Sequence, residues 1–292
     1  MDFLKYLISG VSLGSVYAII ALGYTMVYGI AKMLNFAHGD VIMVGGYISF
    51  CAMMYLELPI WVSIICAVIV CTVLGVIIEG LAYRPLRQAT SLAVLITAIG
   101  VSYFLQNSAL LIWTANTKSY PSIFPGNIEL FNGELTISVV SIVTIAVCVL
   151  IMVALTFFTD KTKIGKAMRA CSENKNAAQL MGINVNRTIS LTFAIGSALA
   201  AIAGVLLCSS YSTLIPTTGS MPGIKAFTAA VFGGIGSIPG AFLGGILLGI
   251  IESFAKAYIS SQLANAIVFA VLIVVLLVRP SGLLGKKIQE KV

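Results

Sequence analysis

The sequence predicts an all-α polytopic membrane protein that forms one transmembrane domain over residues 1–292. Composition is the first reason: 59% of the residues are hydrophobic, 9% are charged and the mean hydropathy is +1.06, whereas a soluble domain carries roughly 25% charged residues. The second reason is a series of apolar runs close to the length of about 20 residues that a spanning helix needs. Third, most of the 17 Lys and Arg residues lie in three places: Arg84 with Arg87, the segment Asp160–Arg187, and the tail from Arg279.

The clustering of basic residues predicts the topology. Loops rich in Lys and Arg stay on the cytoplasmic side of a membrane, so the three clusters are expected there. The net charge of +7 is therefore attributed to topology, and no nucleic-acid partner is expected. A multi-pass location in the cell membrane follows, and counting spans backwards from Asp160–Arg187 places the N-terminus outside.

Five apolar runs in the first part of the chain predict spanning helices. Pro85 closes the third run, because proline interrupts a helix. The polar outer loop of residues 114–134 contains one base and two acids and is expected on the external side. The predicted spans are Leu7–Ile30, Val41–Leu56, Ile60–Tyr83, Leu92–Trp113 and Thr136–Phe158.

Four further apolar elements follow the basic segment. Ile224–Ser237 has only about 14 residues and contains Lys225, so a short or re-entrant membrane element is expected. The basic segment and the tail face the same side, so an even number of crossings must separate them. The chain then has about eight spanning helices plus the short element. The other predicted spans here are Thr188–Tyr211, Ile238–Lys256 and Leu263–Val278.

Small residues recur at four-residue spacing in several of these spans. Rows of small residues allow helices to approach closely inside a membrane. The row that ends near residue 249 gives the strongest such pattern in the chain. The glycines predicted to mediate helix packing are Gly10, Gly14, Gly196, Gly204, Gly236, Gly240, Gly244 and Gly249.

Two interruptions of the apolar pattern have a similar form. The first break is Ala31–Asp40 and the second is Ser212–Gly223. Each follows a long span and leads through polar and glycine residues into another membrane element. Irregular backbone at membrane depth occurs where it faces protein or a water-filled path. Paired breaks in two halves are typical of transporters built from inverted repeats, so an inverted-repeat fold with a pathway near the breaks is expected.

The polar residues offer few chemical groups inside the predicted spans. His38 and Asp40 form either a proton relay or a polar start to the second helix at the membrane interface. Glu79 is expected to pair with Arg84, about one turn further along. No GxxxxGK[ST] motif is present, and the sequence contains one histidine. ATP hydrolysis by this chain, a Ser-His-Asp site and a metal site are therefore not predicted.

The segment Asp160–Arg187 is the longest polar stretch and has a helical pattern. Apolar residues such as Ile164, Met168 and Cys171 recur with charges between them, and Gly182 stands where a helix would end. On the residues alone, two interpretations are open. One is a solvated basic loop, and the other is a cytoplasmic helix that docks a soluble partner.

Three classes of function are compatible with these observations. A membrane subunit of a multi-part transporter explains both the missing ATP site and a docking helix. An ion-coupled secondary transporter would need charges deep in its spans, yet few charges are deep and Glu252 and Lys256 can neutralise each other at i,i+4 spacing. A membrane-embedded enzyme would need a cluster of acid, base or metal-binding groups. The residues favour the three classes in that order.

Six stretches carry a resemblance to a known family, and the last of them reads RPSGLLG. In this order they resemble the permease subunits of branched-chain amino-acid ABC importers, of the LivH type. The resemblance covers nearly the whole chain and is weakest in the outer loop of residues 114–134. The six stretches are Gly14–Asp40, Tyr83–Arg87, Ala98–Asn107, Gly165–Leu207, Gly223–Gly245 and Arg279–Gly285.

The resemblance implies a set of partners. A second, related permease subunit would form a heterodimer with this chain, and two cytoplasmic ATP-binding subunits would drive transport. An extracytoplasmic solute-binding protein would deliver leucine, isoleucine or valine. Urea, short amides or other amino acids are the alternative cargo for a permease of this type. No cofactor is expected in this chain, because ATP and Mg would be bound by the partner subunits.

The resemblance also implies the site residues. A coupling helix would dock in a groove of the ATPase and would correspond to Gly165, Lys166, Arg169, Ala170, Glu173 and Gly182. The translocation path is expected near the two breaks. Its candidate lining residues are Tyr28, Asn35, His38, Thr217 and Phe227.

Overall fold

A computed structural model describes residues 2–130 and 135–285 of the protein. Within them the chain forms eleven α-helices and four short strands, and the third helix continues as a π-helical turn over Glu79–Tyr83. The helices are α1 (Asp2–Ala31), α2 (His38–Met54), α3 (Ile60–Ile78), α4 (Ser91–Trp113), α5 (Val139–Lys161), α6 (Lys163–Glu173), α7 (Lys175–Leu180), α8 (Val185–Tyr211), α9 (Ser220–Gly233), α10 (Ile238–Tyr258) and α11 (Ala264–Val278). The strands are β1 (Lys118–Ser119), β2 (Asn127–Leu130), β3 (Leu135–Ser138) and β4 (Thr213–Leu214).

Six of the described helices are long and apolar enough to cross a membrane: α1, α3 with its π-helical turn, α4, α5, α8 and α10. Three other apolar helices are shorter, since α2 has 17 residues, α9 has 14 and α11 has 15. The helical, polytopic architecture agrees with the prediction. The number of about eight full spans stays a prediction, because helix length alone identifies six.

Burial divides the spanning helices into two groups. Most of α1 and α8 is buried inside the protein, whereas α3, α4 and α5 leave most of their surface exposed. The outward-facing side chains of the second group are as apolar as the core, with Ile69, Leu111 and Leu150 among the exposed examples. A hydrocarbon environment satisfies such side chains as well as a protein core does. The architecture therefore has α1 and α8 in its interior, while α3, α4 and α5 present apolar faces on the outside of the bundle.

Close packing of α1 against α10 depends on glycine. A β-carbon placed on Gly14 would lie 2.7 Å from the carbonyl oxygen of Ile246, and one on Gly249 would lie 2.6 Å from that of Gly10. Both distances are far below van der Waals contact, so any larger residue would push the two helices apart. Gly196 and Gly204 of α8 similarly face Val27 of α1 and Ile42 of α2.

The predicted glycine row near residue 249 is divided between two elements. Gly240 and Gly244 lie in α10 against Gly233, at the end of α9. Gly236 does not belong to this packing row, because α10 begins only at Ile238. It lies in the preceding turn with φ of +93°, where a side chain would be strained.

Several element boundaries differ from the prediction. Helix α2 begins at His38 and α9 begins at Ser220, so residues assigned to the two breaks start these helices. Helix α5 begins three residues later than predicted, because β3 pairs with β2 in an antiparallel hairpin. The basic segment forms two helices rather than one, since Asn174 ends α6 and caps α7.

The basic clusters meet at one end of the bundle, which we name the basic end. Arg87 donates a hydrogen bond to the side chain of Asn186 at the start of α8. Lys175 donates one to the backbone oxygen of Ala31 at the end of α1, with 2.8 Å between Nζ and O. The tail returns to the end of α9, where Leu284 N donates to the carbonyl of Gly233. The part of the predicted basic tail from residue 286 onward lies outside the described residues.

The opposite end of the bundle is closed by aromatic and strand contacts. The indole of Trp113 stacks on Tyr47 with ring centroids 4.4 Å apart. Tyr120 hydrogen bonds through its hydroxyl to Ser49 over 2.8 Å, and strands β1 and β4 pair beside it. The loop predicted on the external side therefore lies at the end opposite to the basic clusters, as the charge distribution requires.

Candidate functional site

The α6–α7 segment, residues 163–180, is the first candidate site and lies at the basic end. The hydroxyl of Thr162 caps α6 by accepting a hydrogen bond from Gly165 N at 3.0 Å. The side chain of Asn174 caps α7 by accepting from the backbone N–H groups of Asn176 and Ala177. These caps satisfy backbone donors that a short helix would otherwise leave unpaired. The sequence thus specifies two short helices with a bend between them.

The inner face of α6 is anchored to the bundle. Gly165, Met168 and Cys171 are buried, and Met168 and Cys171 pack in a small apolar cluster with Met26 and Ile30 of α1. A β-carbon on Gly165 would lie 2.5 Å from the Cα of Thr159 in α5. The segment is therefore fixed to both α1 and α5. This differs from the interpretation of the segment as a solvated basic loop.

The outer face of the segment carries charge and an exposed apolar tip. Lys166, Arg169 and Glu173 are exposed, and Arg169 pairs with Asp160 over 2.8 Å. Ala170 is half-buried on the side that packs against the bundle. At the end of α7, Leu180 is 88% exposed and Met181 is 82% exposed. Gly182 follows with φ of +81° and turns the chain toward α8.

Lys175 connects the segment to the first break. Its ammonium donates to the backbone oxygen of Ala31, the last residue of α1. Burial lowers the pKa of Lys175, and the nearby charges of Arg87 and Lys32 lower it further. The cavity beside it, about 410 Å³ in volume, is lined by these three basic residues together with Tyr28 and residues of α4. The hydrogen bond from Lys175 to Ala31 links α7 to the end of α1.

The two breaks meet near the centre of the bundle. The backbone of Gly39, at the start of α2, lies against the backbone of Gly219, just before α9. A β-carbon on Gly39 would lie 2.7 Å from the oxygen of Gly219, and one on Gly223 would lie 2.8 Å from the Cα of Gly39. No side chain fits between the two breaks at this point.

A narrow chamber next to this contact collects three of the predicted path residues. Tyr28, Asn35 and Phe227 line it together, and its volume is only about 10 Å³. Asn35 is buried, and its side-chain oxygen accepts a hydrogen bond from the hydroxyl of Tyr83 over 2.9 Å. Phe36 packs on Phe227 from outside the chamber, with ring centroids 5.4 Å apart. The space between these residues is therefore too small to hold an amino acid.

His38 lies apart from the chamber. Its ring packs edge-on against Tyr24 at 4.6 Å, in space that Gly23 leaves open. Its Nε2 has no hydrogen-bond partner among the described residues. Asp40 accepts instead from Gln106 over 2.8 Å. Both side chains are buried and neither caps α2, so the predicted capping role is wrong, and no direct hydrogen bond joins the two side chains as a relay. Their placement at the membrane interface stays a prediction.

Thr217 is also separated from the chamber. It lines a second cavity, about 410 Å³ in volume, on the side of the second break that faces away from the basic end. Lys225, Glu252 and Lys256 line the same cavity. The predicted pair of Glu252 and Lys256 is present with 2.7 Å between the charged atoms, but Lys225 forms a second bond of the same length to the same carboxylate oxygen.

The partner of Glu79 differs from the prediction. Its carboxylate pairs with Arg87 rather than Arg84 and also accepts from the hydroxyl of Ser190 over 2.6 Å. The π-helical turn that begins at Glu79 changes the direction of the side chains that follow. The backbone N–H of Arg84 closes this turn onto the oxygen of Glu79. Sequence spacing alone gives no indication of the turn.

Comparison with known proteins gives a consistent result. The sequence model of a family described as "Branched-chain amino acid transport system / permease component" matches residues 6–276. The permease protein BraD of the high-affinity branched-chain amino acid transport system of Pseudomonas aeruginosa is 47% identical, over 99% of this chain and 98% of that protein. The corresponding permease protein LivH of Salmonella typhimurium is 47% identical and that of Escherichia coli is 46% identical, with the same coverage.

Proposed function

This chain belongs to the family of branched-chain amino acid transport system permease components, and from that premise we propose that it is the membrane permease subunit of an ATP-driven importer. Its cargo in this proposal is leucine, isoleucine or valine. The relatives that match nearly the full length of the chain are permeases for branched-chain amino acids. Other small solutes carried by a permease of this type form the alternative.

The α6–α7 segment supports the proposal most directly. It is anchored to α1 and α5 through Gly165 and Met168, yet it presents Leu180 and Met181 almost fully to solvent. Large exposed apolar side chains next to charged ones mark a surface that another protein covers. In the proposal this surface docks in a groove of a cytoplasmic ATP-binding subunit, with Arg169 and Glu173 at the rim.

Transmission into the membrane follows from the same contacts. A push on α7 reaches the end of α1 through the bond between Lys175 and Ala31. The chamber of Tyr28, Asn35 and Phe227 lies beside that end of α1. In the proposal, nucleotide-driven movement of α6 and α7 opens and closes this chamber, which is shut in the present structure.

The arrangement of the two breaks is what an inverted repeat would produce. Helices α1 and α8 are the two most buried of the six spanning helices and run in opposite directions, because α1 ends and α8 begins at the basic end. Each leads into a break and then into a short helix, α2 or α9, and the breaks touch at Gly39 and Gly219. Binding sites in such folds lie at the junction of the repeats.

The proposed importer needs further subunits. A second permease subunit would complete the pathway, two ATP-binding subunits would hold ATP and Mg, and an extracytoplasmic binding protein would deliver the amino acid. The hairpin of β2 and β3 and the β1–β4 pair lie at the end where that delivery would occur.

The proposal is tested by purifying the chain with its partners from native membranes and reconstituting the complex in liposomes. We expect the complex to take up labelled leucine in an ATP-dependent manner, and we expect unlabelled isoleucine and valine to inhibit this uptake. ATP-dependent uptake of urea or a short amide, without uptake of leucine, would show that the cargo is different but would support the ATP-driven mechanism. A chain that purifies alone and transports leucine on an ion gradient would refute the ATP-driven mechanism.

A further inference from the structure

A cluster of buried charges lies where α1, α9 and α10 meet. Glu252 of α10 is 1% exposed, and one of its carboxylate oxygens accepts from both Lys225 and Lys256, each at 2.7 Å. The other oxygen accepts from the hydroxyl of Tyr17 over 2.9 Å. The ammonium of Lys225 also lies 3.5 Å from the Tyr17 hydroxyl. Three spanning or membrane-embedded elements are joined by this one carboxylate.

The cluster has an unbalanced charge. Two ammonium groups share a single carboxylate, and the other group at its centre is a neutral phenol, so the cluster carries a net charge of about +1. Charged side chains inside a membrane protein cost free energy, and apolar residues of similar size often stabilise a fold as well or better. Packing alone therefore gives no reason for a second lysine beside Glu252.

The cluster faces open space. The cavity of about 410 Å³ beside it falls in the range of roughly 300–1,000 Å³ that small-molecule sites occupy. Lys225 has an 8% exposed side chain, whereas that of Lys256 is 39% exposed. An ammonium group has three N–H donors, and Lys256 uses one of them on Glu252. Lys256 therefore has donors to offer to a molecule in the cavity.

The rest of the cavity wall is apolar with a few hydroxyl groups. Leu207, Ile215, Met221 and Pro222 supply the apolar part, and Thr217 and Thr218 supply hydroxyl groups. This combination matches a small molecule that has an anionic group at one end and an aliphatic group at the other. The wall comes from the end of α8, the second break and α9, at the end of the bundle away from the basic clusters.

We propose that this cavity is a binding site for a free amino acid with an aliphatic side chain, and that Lys256 binds its carboxylate. That the ligand is an amino acid rests on the function proposed above. That the ligand carries an anionic group rests on the excess positive charge of the cluster. The aliphatic side chain packs on Leu207, Ile215 and Met221. The site precedes the closed chamber on the path from the outer end, so it receives the amino acid before translocation.

Binding is tested with the full chain and its partner permease subunit in nanodiscs of phosphatidylcholine. Labelled L-leucine is displaced by leucinol, which lacks the carboxylate, and by 4-methylpentanoate, which keeps it. The variant is Lys256→Met, because Lys225 and Tyr17 still satisfy Glu252 when Lys256 is removed. Lys5→Met is the matched control, since Lys5 is an exposed lysine on α1. Lys256→Arg keeps the positive charge.

The expected results separate the carboxylate contact from a structural effect. Wild-type and Lys5→Met chains should prefer leucine to leucinol by about tenfold, as expected for a charge-assisted hydrogen bond. Lys256→Met should bind leucine about tenfold more weakly and lose the preference over leucinol, and Lys256→Arg should retain it. A Lys256→Met chain that keeps the full preference, or a wild-type chain that binds no leucine, would overturn the proposal.

A second arm tests lipid phosphate as the source of the anion. If adding 20 mol% phosphatidylglycerol to the nanodiscs abolishes leucine binding by the wild-type chain, the site belongs to a lipid headgroup and the proposal fails. Uptake by the complete complex is measured in parallel. If the complete complex takes up leucine normally and the Lys256→Met chain binds leucine as well as the wild type does, the proposed cavity site is refuted and the importer function stands. If the wild-type chain binds leucine but the complete complex shows no uptake, the importer function is refuted.

Discussion

The α-carbon of Thr159, in the last turn of α5, lies 2.5 Å from the point where a side chain on Gly165 would begin. A glycine is therefore required where α6 crosses the end of α5. This contact holds the α6–α7 segment in a fixed orientation against the bundle, and it determines how a force on the segment is passed on.

Replacing Gly165 with alanine should separate α6 from α5. Overpacking of this kind costs about 1–3 kcal/mol, so we expect a lower melting temperature in detergent and at least a tenfold loss of ATP-driven uptake. Gly100→Ala in α4 is the control, because a β-carbon there meets nothing within 4 Å. Wild-type uptake by the Gly165→Ala complex would contradict the role given to this contact.

Changing the exposed tip of α7 should weaken docking without weakening the fold. Leu180→Asp places a charge on a side chain that is exposed in this chain, so the melting temperature should stay unchanged. Co-purification of the ATP-binding subunits should fall at least tenfold, because a central apolar anchor of an interface is lost. Gln179→Ala, on the neighbouring exposed position, serves as the control. Full recovery of the ATP-binding subunits with Leu180→Asp would show that this tip is not the docking surface.

Reversing the charge of Arg169 should affect coupling more than stability. Its ion pair with Asp160 is about half exposed on both sides, and such pairs contribute only about 0–1 kcal/mol. We expect Arg169→Glu to remain folded in the membrane while leucine-stimulated ATP hydrolysis falls. The double variant with Asp160→Arg restores the ion pair; if it also restores coupling, the pair rather than contact with a partner is what matters.

Lys175 should make the free energy of unfolding rise with pH in the alkaline range. Burial, with help from Arg87 and Lys32, holds its pKa below the usual value in the folded protein. The unfolded chain then binds more protons than the folded one between the two pKa values, so this contribution to stability rises as pH increases through that window and is complete near 10.5. Melting temperatures of wild type and Lys175→Met, compared from pH 8 to 10.5, should diverge in that direction. If the melting temperatures of the two chains change with pH in parallel, Lys175 does not contribute this pH dependence.

Cysteine labelling should distinguish the open cavity from the closed chamber. Thr217 is exposed and lines the cavity of about 410 Å³, whereas Asn35 is buried beside the chamber of about 10 Å³. In the resting state, Thr217→Cys should react with a charged thiol reagent at least tenfold faster than Asn35→Cys. The wild-type chain reports background reaction of its own cysteines. Adding ATP to the complete complex should accelerate labelling at Asn35→Cys, and equal rates in all states would argue against gating there.

The sequence was sufficient for the features that have local signals. The α6–α7 segment carries its amphipathic pattern in its own residues, and the pair of Glu252 and Lys256 follows from helical spacing. The six long helices follow from apolar runs. These properties depend on neighbours within a few positions, so they are visible before any tertiary contact is known.

The features that the sequence analysis missed or assigned wrongly depend on tertiary packing. Lys225 reaches Glu252 only because α9 and α10 pack in one particular register, and Tyr17 joins from a distant part of the chain. Glu79 finds Arg87 because a π-helical turn intervenes. The isolated lysine in a short apolar element was the available signal for the charge cluster. An unpaired charge there needed a partner, but sequence spacing could not identify it.

The contact between Gly39 and Gly219 has a mechanical consequence. Two stretches of bare backbone lie against each other there, with no side chains interlocked between them. Such a contact resists compression, because the backbone atoms already touch. Any side chain added at Gly39 or Gly219 would therefore push the start of α2 away from the start of α9, so the relative position of the two breaks depends on glycine at both sites.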